Sequence, residues 1–131
     1  MVNRNQFREI YCLFDQDVVI EIIKIFIEEY PLKLEGLLTN IEDRDLQTLS
    51  FAIHNLKGVI SNFSAPETFE LIKNFEDTVL HLTTSKTGQF EISALKAQLA
   101  EIKESVIAVA DDLEEIMHDM LGGKFNFHPN G

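Results

Sequence analysis

The apolar residues Ile92, Leu95, Leu99, Ile102, Val106, Val109, Leu113, Ile116 and Met120 recur at three- and four-residue spacing without a slip. That period lays them along one stripe of an α-helix. It is incompatible with a strand, in which a face repeats every second residue. A second such stripe runs through Leu46, Leu49, Ile53, Leu56, Ile60 and Phe63, and a third through Val19, Ile22, Ile23, Phe26, Ile27 and Tyr30. No stretch shows sustained strict alternation, and prolines occur only at positions 31, 66 and 129. The chain is therefore expected to be all-α. The long last stripe suits packing inside an antiparallel bundle, which uses the same spacing as a coiled coil.

The punctuation between stripes sets the element boundaries. Asn5 to Phe14 forms a short apolar-rich candidate helix, followed by Asp15 and Asp17, either of which can cap the next helix. Pro31 allows a kink before LKLEGLLTNI carries the pattern on to Ile41. A break at Glu42 to Arg44 leads into the third helix. Ser64-Ala65-Pro66-Glu67 stops it and starts a fourth, with Ser64 as the expected N-cap, Pro66 early in the helix and Glu67 at the third place. The fourth helix is expected to run to about Leu82, before the turn-rich TTSKTGQ. Gly122-Gly123 closes the last one. Residues 1–121 are read as one domain and 122–131 as a mobile tail.

A length of 131 residues suffices for one core without metal or disulfides and leaves no room for a second catalytic domain. A net charge of −11 repels phosphate backbones and anionic lipid, which argues against nucleic-acid and membrane-surface binding. No apolar run is long enough to span a bilayer. The first residues, MVNRNQFREIYCLFDQD, lack the features of a secretory signal, so a cytoplasmic location is expected. Cys12, the lone cysteine, fits a reducing compartment and is expected to be a small buried hydrophobe.

On the third helix His54, Lys57 and Gly58 stand at i, i+3 and i+4 and so neighbour one another. On a wheel, Lys57 borders the buried stripe, while His54 lies roughly 120° from its centre and faces water. Gly58 inside a good helix costs about 1 kcal/mol relative to alanine, and its effect is to leave room beside the imidazole. A neutral imidazole is a competent nucleophile near neutral pH, and Lys57 supplies a flexible ammonium suited to phosphoryl charge. Such a site also needs a hydrogen-bond partner on the other ring nitrogen, which decides which nitrogen attacks.

The segment AIHNLKGVISNFSAPETFELIKNFE resembles the signature of the histidine phosphotransfer (HPt) domain family, in which H-x-L-K-G precedes a small-residue turn and a helix ending near an acidic residue. The resemblance extends upstream through FDQDVVIEIIKIFIEEYPLKLEGLLTNIEDRDLQTL, covering about residues 14 to 80. It implies a four-helix bundle, here with a short extra N-terminal helix. His54 would be the phosphoacceptor, Lys57 the phosphate-side charge and Gly58 the space-giving residue, with Glu76 hydrogen-bonding the non-phosphorylated ring nitrogen. The implied role is a phosphocarrier in two-component signalling, not a kinase. Its partners would be receiver domains of response regulators or hybrid kinases, and any Mg²⁺ would belong to the receiver rather than to this chain. The chain departs from the family at Ser64, where glycine is usual. The backbone there is expected to suit a residue with a Cβ, in a slightly altered turn.

Phe51 lies on the wheel near His54 and away from the stripe, so it is a candidate receiver-docking contact. The alternative is that the first helix folds over it. Lys24, Lys33 and Lys73 are expected on solvated faces, and His128 in the tail has no expected role. Two other functional classes compete with the relay. One is a helical adapter whose Ile92–Met120 seam mediates self-association and whose histidine is idle, whereas the relay is expected as a monomer, with a dimer compatible with either reading. The other is a metal bundle using Asp77 with His81 or Glu115 with His118, although only one Glu-x-x-His unit is present where two are needed.

Overall fold

The computed structural model describes residues 1–85 and 90–123. Five helices follow in order: α1 (Arg4–Tyr11), α2 (Gln16–Glu42), α3 (Leu46–Ile60), α4 (Pro66–Thr84) and α5 (Ile92–Leu121), with a 3₁₀ turn (Ser61–Phe63) between α3 and α4. Helices α2 to α5 form the bundle in a closed ring of neighbours, α2 against α3, α3 against α4, α4 against α5 and α5 against α2. Short connections between packed neighbours make each successive pair antiparallel. The predicted stripes fill the centre: Ile23, Leu49, Ile53, Leu56, Ile60, Val106, Val109, Leu113 and Ile116 are wholly buried, together with Ile72, Phe75 and Val79 from α4. The seam proposed for self-association is thus consumed inside the bundle.

Each boundary has a local cause. Helix α2 continues through Pro31 as a single element, although the proline cannot donate back to the carbonyl of Ile27. Arg44, in the left-handed region at φ 57, ends α2, and Asp45 caps α3 by accepting the Thr48 backbone N–H at 3.1 Å. The Asp45 carboxyl also accepts the Thr48 hydroxyl at 2.7 Å, and these two bonds hold its pKa below the usual carboxylate range. At the head of α2, Asp15 occupies the N-cap position with its backbone and makes no side-chain capping bond.

The α3–α4 turn corrects two expectations. Ser64 has φ 55 and ψ 52, the left-handed conformation normally reserved for glycine, so the turn is kept and the serine is forced into it. Ala65, not Ser64, is the N-cap of α4, and it provides no side-chain cap. The reason is steric economy: α3 must stop and reverse within a few residues, and a single left-handed residue after a helical turn is the shortest way to do so. With its backbone so placed, the Ser64 hydroxyl is buried and has no hydrogen-bond partner among the described residues. Pro66 stands at the start of α4, where its missing N–H is harmless.

Helix α1 closes the bundle end that holds this turn. Asn3 donates its backbone N–H to the Ser64 carbonyl at 2.7 Å, and Tyr11 donates its hydroxyl to the Asn62 carbonyl at 2.8 Å. Arg4 meets Glu115 at 3.5 Å on α5, while Phe7 and Tyr11 are buried. Burial pushes the Tyr11 phenol above its ordinary pKa. Cys12 is half-buried, not buried as expected, because it follows the end of α1 at the rim of this cap. Helix α4 extends slightly past the expected end, to Thr84. Most of the tail expected to be mobile, including His128, lies outside the described residues, as does part of the TTSKTGQ loop.

Candidate functional site

The buried stripe of α3 turns Ile53 and Leu56 inward, and the helical period therefore turns His54 outward between them. Its side chain is 72% exposed. Across the α3–α4 seam, Phe75 and Val79 anchor α4 in the core, which brings Glu76 to the edge of the seam. The Glu76 carboxylate is only 18% exposed and lies with Oε2 at 2.7 Å from His54 Nδ1. Lys57, one turn along α3, donates from Nζ to the other oxygen, Oε1, at 2.5 Å. One carboxylate therefore serves both the imidazole and the ammonium.

Burial pushes the Glu76 carboxyl upward, but the hydrogen bonds and charges of Lys57 and His54 together outweigh it and hold its pKa below the usual glutamate value. The group is ionised at neutral pH and can only accept hydrogen bonds. His54 Nδ1 must then carry the ring proton, and in the neutral imidazole the lone pair sits on Nε2. Nε2 makes no hydrogen bond to any described residue, so the free lone pair is on the exposed side of the ring.

Three sequence expectations meet here: His54, Lys57 and Glu76 form one hydrogen-bonded chain. Gly58 lies one turn from His54 on the exposed side, and a Cβ built on it would meet nothing within 4 Å. The fold itself makes no demand for glycine at that position. Phe51 is 72% exposed, and α1 packs at the far end of α3, so the covering alternative does not hold. Phe51 instead borders a shallow groove between α2 and α3, with Leu32, Gly36, Ala52 and Asn55. Lys33 spans that groove, donating to Asn55 Oδ1 at 2.9 Å, an interhelical bond in place of the solvated face expected for it. Lys57 has a partner that the expectation did not name: its ammonium hydrogen-bonds Glu76. Among the described residues no cluster of histidine, cysteine and carboxylate groups could hold a metal ion.

An all-α bundle presenting an outward histidine on one helix, oriented by a half-buried carboxylate from the neighbouring helix, defines the structural class. The Hpt domain family model matches residues 21–116, from early α2 to the last turns of α5, and the chain belongs to that family. This is a family of helical bundles associated with phosphotransfer in two-component signalling and with receiver domains. A search of curated proteins finds no match to the chain, and a search of solved structures finds none either. No described helix is long and apolar enough to cross a membrane.

Proposed function

We propose that the chain is a phosphocarrier that relays a phosphoryl group on His54 between aspartates of receiver domains. The observation that carries this reading is the 2.7 Å contact of His54 Nδ1 with an ionised Glu76, which leaves the exposed Nε2 as the nucleophile. In the accepting step the Nε2 lone pair forms the N–P bond while the P–O bond to the donor aspartate breaks, and that carboxylate leaves with the electron pair. No general base is required, since Nε2 has no proton to lose. Glu76 keeps the proton on Nδ1, so the phosphorylated ring is an imidazolium. Onward transfer to a second aspartate then releases a neutral imidazole, a far better leaving group than imidazolate.

The partner would supply the rest. Phosphoaspartate and the Mg²⁺ that neutralises phosphoryl charge belong to the receiver, and Phe51 offers an apolar anchor close to His54. With a net charge of −11 on this chain and a carboxylate-rich receiver site, apolar contact is the better basis for recognition than long-range attraction. Gly58 leaves the space that the incoming aspartate and phosphoryl group must occupy. Nothing in the chain resembles a nucleotide-binding loop, so the phosphoryl group comes from outside. The test is to incubate wild type and His54→Gln with a phosphorylated receiver and Mg²⁺. Acid-labile, base-stable phosphate on wild type and none on the variant is expected; equal labelling of the two would overturn the proposal.

A further inference from the structure

The arrangement of charge around His54 leaves one problem. A phosphoryl group on Nε2 brings negative charge to a ring that already has a carboxylate 2.7 Å from its other nitrogen, and Lys57 is committed to that carboxylate at 2.5 Å. The ammonium that the HPt resemblance assigns to the phosphoryl oxygens thus already gives one of its three N–H groups, and much of its charge, to Glu76. If Lys57 also served the phosphoryl oxygens, its single positive charge would have to balance both that group and the Glu76 carboxylate. A second cation would remove the conflict.

The register of α3 and α4 supplies one. The two helices are antiparallel and His54 is level with Glu76, so one turn forward on α3, to Gly58, corresponds to one turn back on α4, to Ile72 and Lys73. On the α4 wheel Lys73 lies on the same side as Glu76 but roughly 60° further out from the core. That register puts Lys73 on the solvent side of the α3–α4 seam, about level with Gly58. Lys73 is exposed and forms no ion pair with any described residue. The remaining described cations are placed or occupied elsewhere. Lys33 is bonded to Asn55 on the α2 side and faces Glu29 at 4.0 Å, Lys24 is also on α2, Arg4 and Arg8 belong to α1 at the bundle end, Arg44 lies over Phe90, and Lys96 and Lys103 are on α5, across the ring from α3.

We propose that Lys73 is the residue that contacts the phosphoryl oxygens on His54, while Lys57 acts through Glu76 as a positioning residue. This rests on the phosphocarrier reading and divides between two lysines the role that the resemblance gives to one. Lys73 faces the group across the seam, where its flexible stem lets the ammonium follow the phosphoryl oxygens as the N–P bond forms and breaks. Lys57 holds Glu76 ionised and in place, and so fixes the proton on Nδ1.

The two roles have different signatures. Removing Lys73 takes away one solvent-screened charge contact and should shorten the lifetime of the phosphohistidine or slow its formation about fivefold, with thermal stability and the pH profile unchanged. Removing Lys57 should shift the pH dependence of phosphorylation, because Glu76 loses its cation. The experiment compares wild type, Lys73→Gln, Lys73→Arg and Lys57→Gln for the rate of phosphorylation by a phosphorylated receiver with Mg²⁺, for phosphohistidine half-life, and for the pH profile of both. Loss in Lys73→Gln with recovery in Lys73→Arg, and a displaced pH profile only in Lys57→Gln, is the expected result. Wild-type behaviour of Lys73→Gln, alongside a rate defect at unchanged pH profile in Lys57→Gln, would overturn the division of roles while leaving the phosphocarrier reading standing. Absence of label on wild-type His54 would remove that reading and this inference with it.

Discussion

His54 and Glu76 stand on neighbouring helices with Nδ1 and Oε2 2.7 Å apart, and that contact joins the seam of the bundle to the chemistry of the ring. Because Lys57 takes the other oxygen of the same carboxylate, the orientation of the imidazole depends on α3 and α4 together. Removing the Glu76 carboxylate should act on both counts. Glu76→Ala is expected to cost about 1–3 kcal/mol in stability, since a mostly buried Lys57 ammonium loses its partner, and to slow phosphorylation of His54. Chemical denaturation and transfer kinetics on the same preparation check the two effects, and a variant with wild-type values in both would contradict the assigned role.

The same carboxylate sets a pH dependence of stability. Its pKa in the folded chain is below the ordinary glutamate value, so the unfolded state binds its proton first as the pH falls. Its contribution is complete above the ordinary glutamate range and is lost as pH descends through the lowered folded value. Wild type should therefore lose stability in acid more steeply than Glu76→Gln, the two curves converging at the acid end. Parallel curves from neutral pH downward would show that the carboxylate is not stabilised in the folded state.

Ser64 offers a gain of stability. It is held at φ 55, and its buried hydroxyl has no partner among the described residues. Ser64→Gly relieves both the left-handed strain and the unsatisfied oxygen, for an expected gain of about 1–2 kcal/mol. Ser64→Ala, which removes only the hydroxyl, should gain less. Thermal or denaturant unfolding of the pair separates the two contributions, and a Ser64→Gly variant less stable than wild type would contradict the strained turn.

Gly58 separates fold from function. A Cβ there meets nothing within 4 Å, so Gly58→Ala should raise stability by about 0.5–1 kcal/mol through helix propensity alone. The same methyl group narrows the space next to the imidazole and should slow transfer from a receiver. An alanine variant that is both more stable and fully active would mean that the open space serves no purpose in docking.

Much of this architecture is legible in the sequence, and the exceptions have physical reasons. The stripes through Leu49, Ile53 and Leu56 and through Ile102, Val106 and Val109 announce their buried faces, because helix periodicity is a local property of the chain. His54 on the outer face follows from the same wheel. Glu76 was reached only through family resemblance, and the commitment of Lys57 to it depends on how α3 and α4 pack, which no single-helix pattern encodes. The left-handed Ser64 ran against the residue's preference, since the need to reverse the chain overrides local propensity there. The place of α1 rests on contacts distant in sequence, Asn3 with Ser64 and Tyr11 with Asn62, and such pairings leave no periodic trace.

Phe51 carries a prediction about partners. At 72% exposure it contributes little packing to the folded chain, so Phe51→Ala should change stability by no more than about 0.5 kcal/mol. If the aromatic ring anchors the receiver, the same change weakens association by roughly 1–2 kcal/mol. Titration of a receiver against wild type and variant gives the answer, and equal affinities would place the docking surface elsewhere around His54.

The central claim is that Glu76 fixes the ring proton on Nδ1 and so directs phosphorylation to the other nitrogen. The most direct measurement is to phosphorylate the wild-type chain with a phosphorylated receiver and Mg²⁺, then assign the phosphorylated atom by ³¹P and ¹⁵N nuclear magnetic resonance. The account predicts a phosphoryl group on Nε2 of His54, with Nδ1 still protonated. Phosphate on Nδ1, on another residue, or on none would contradict it.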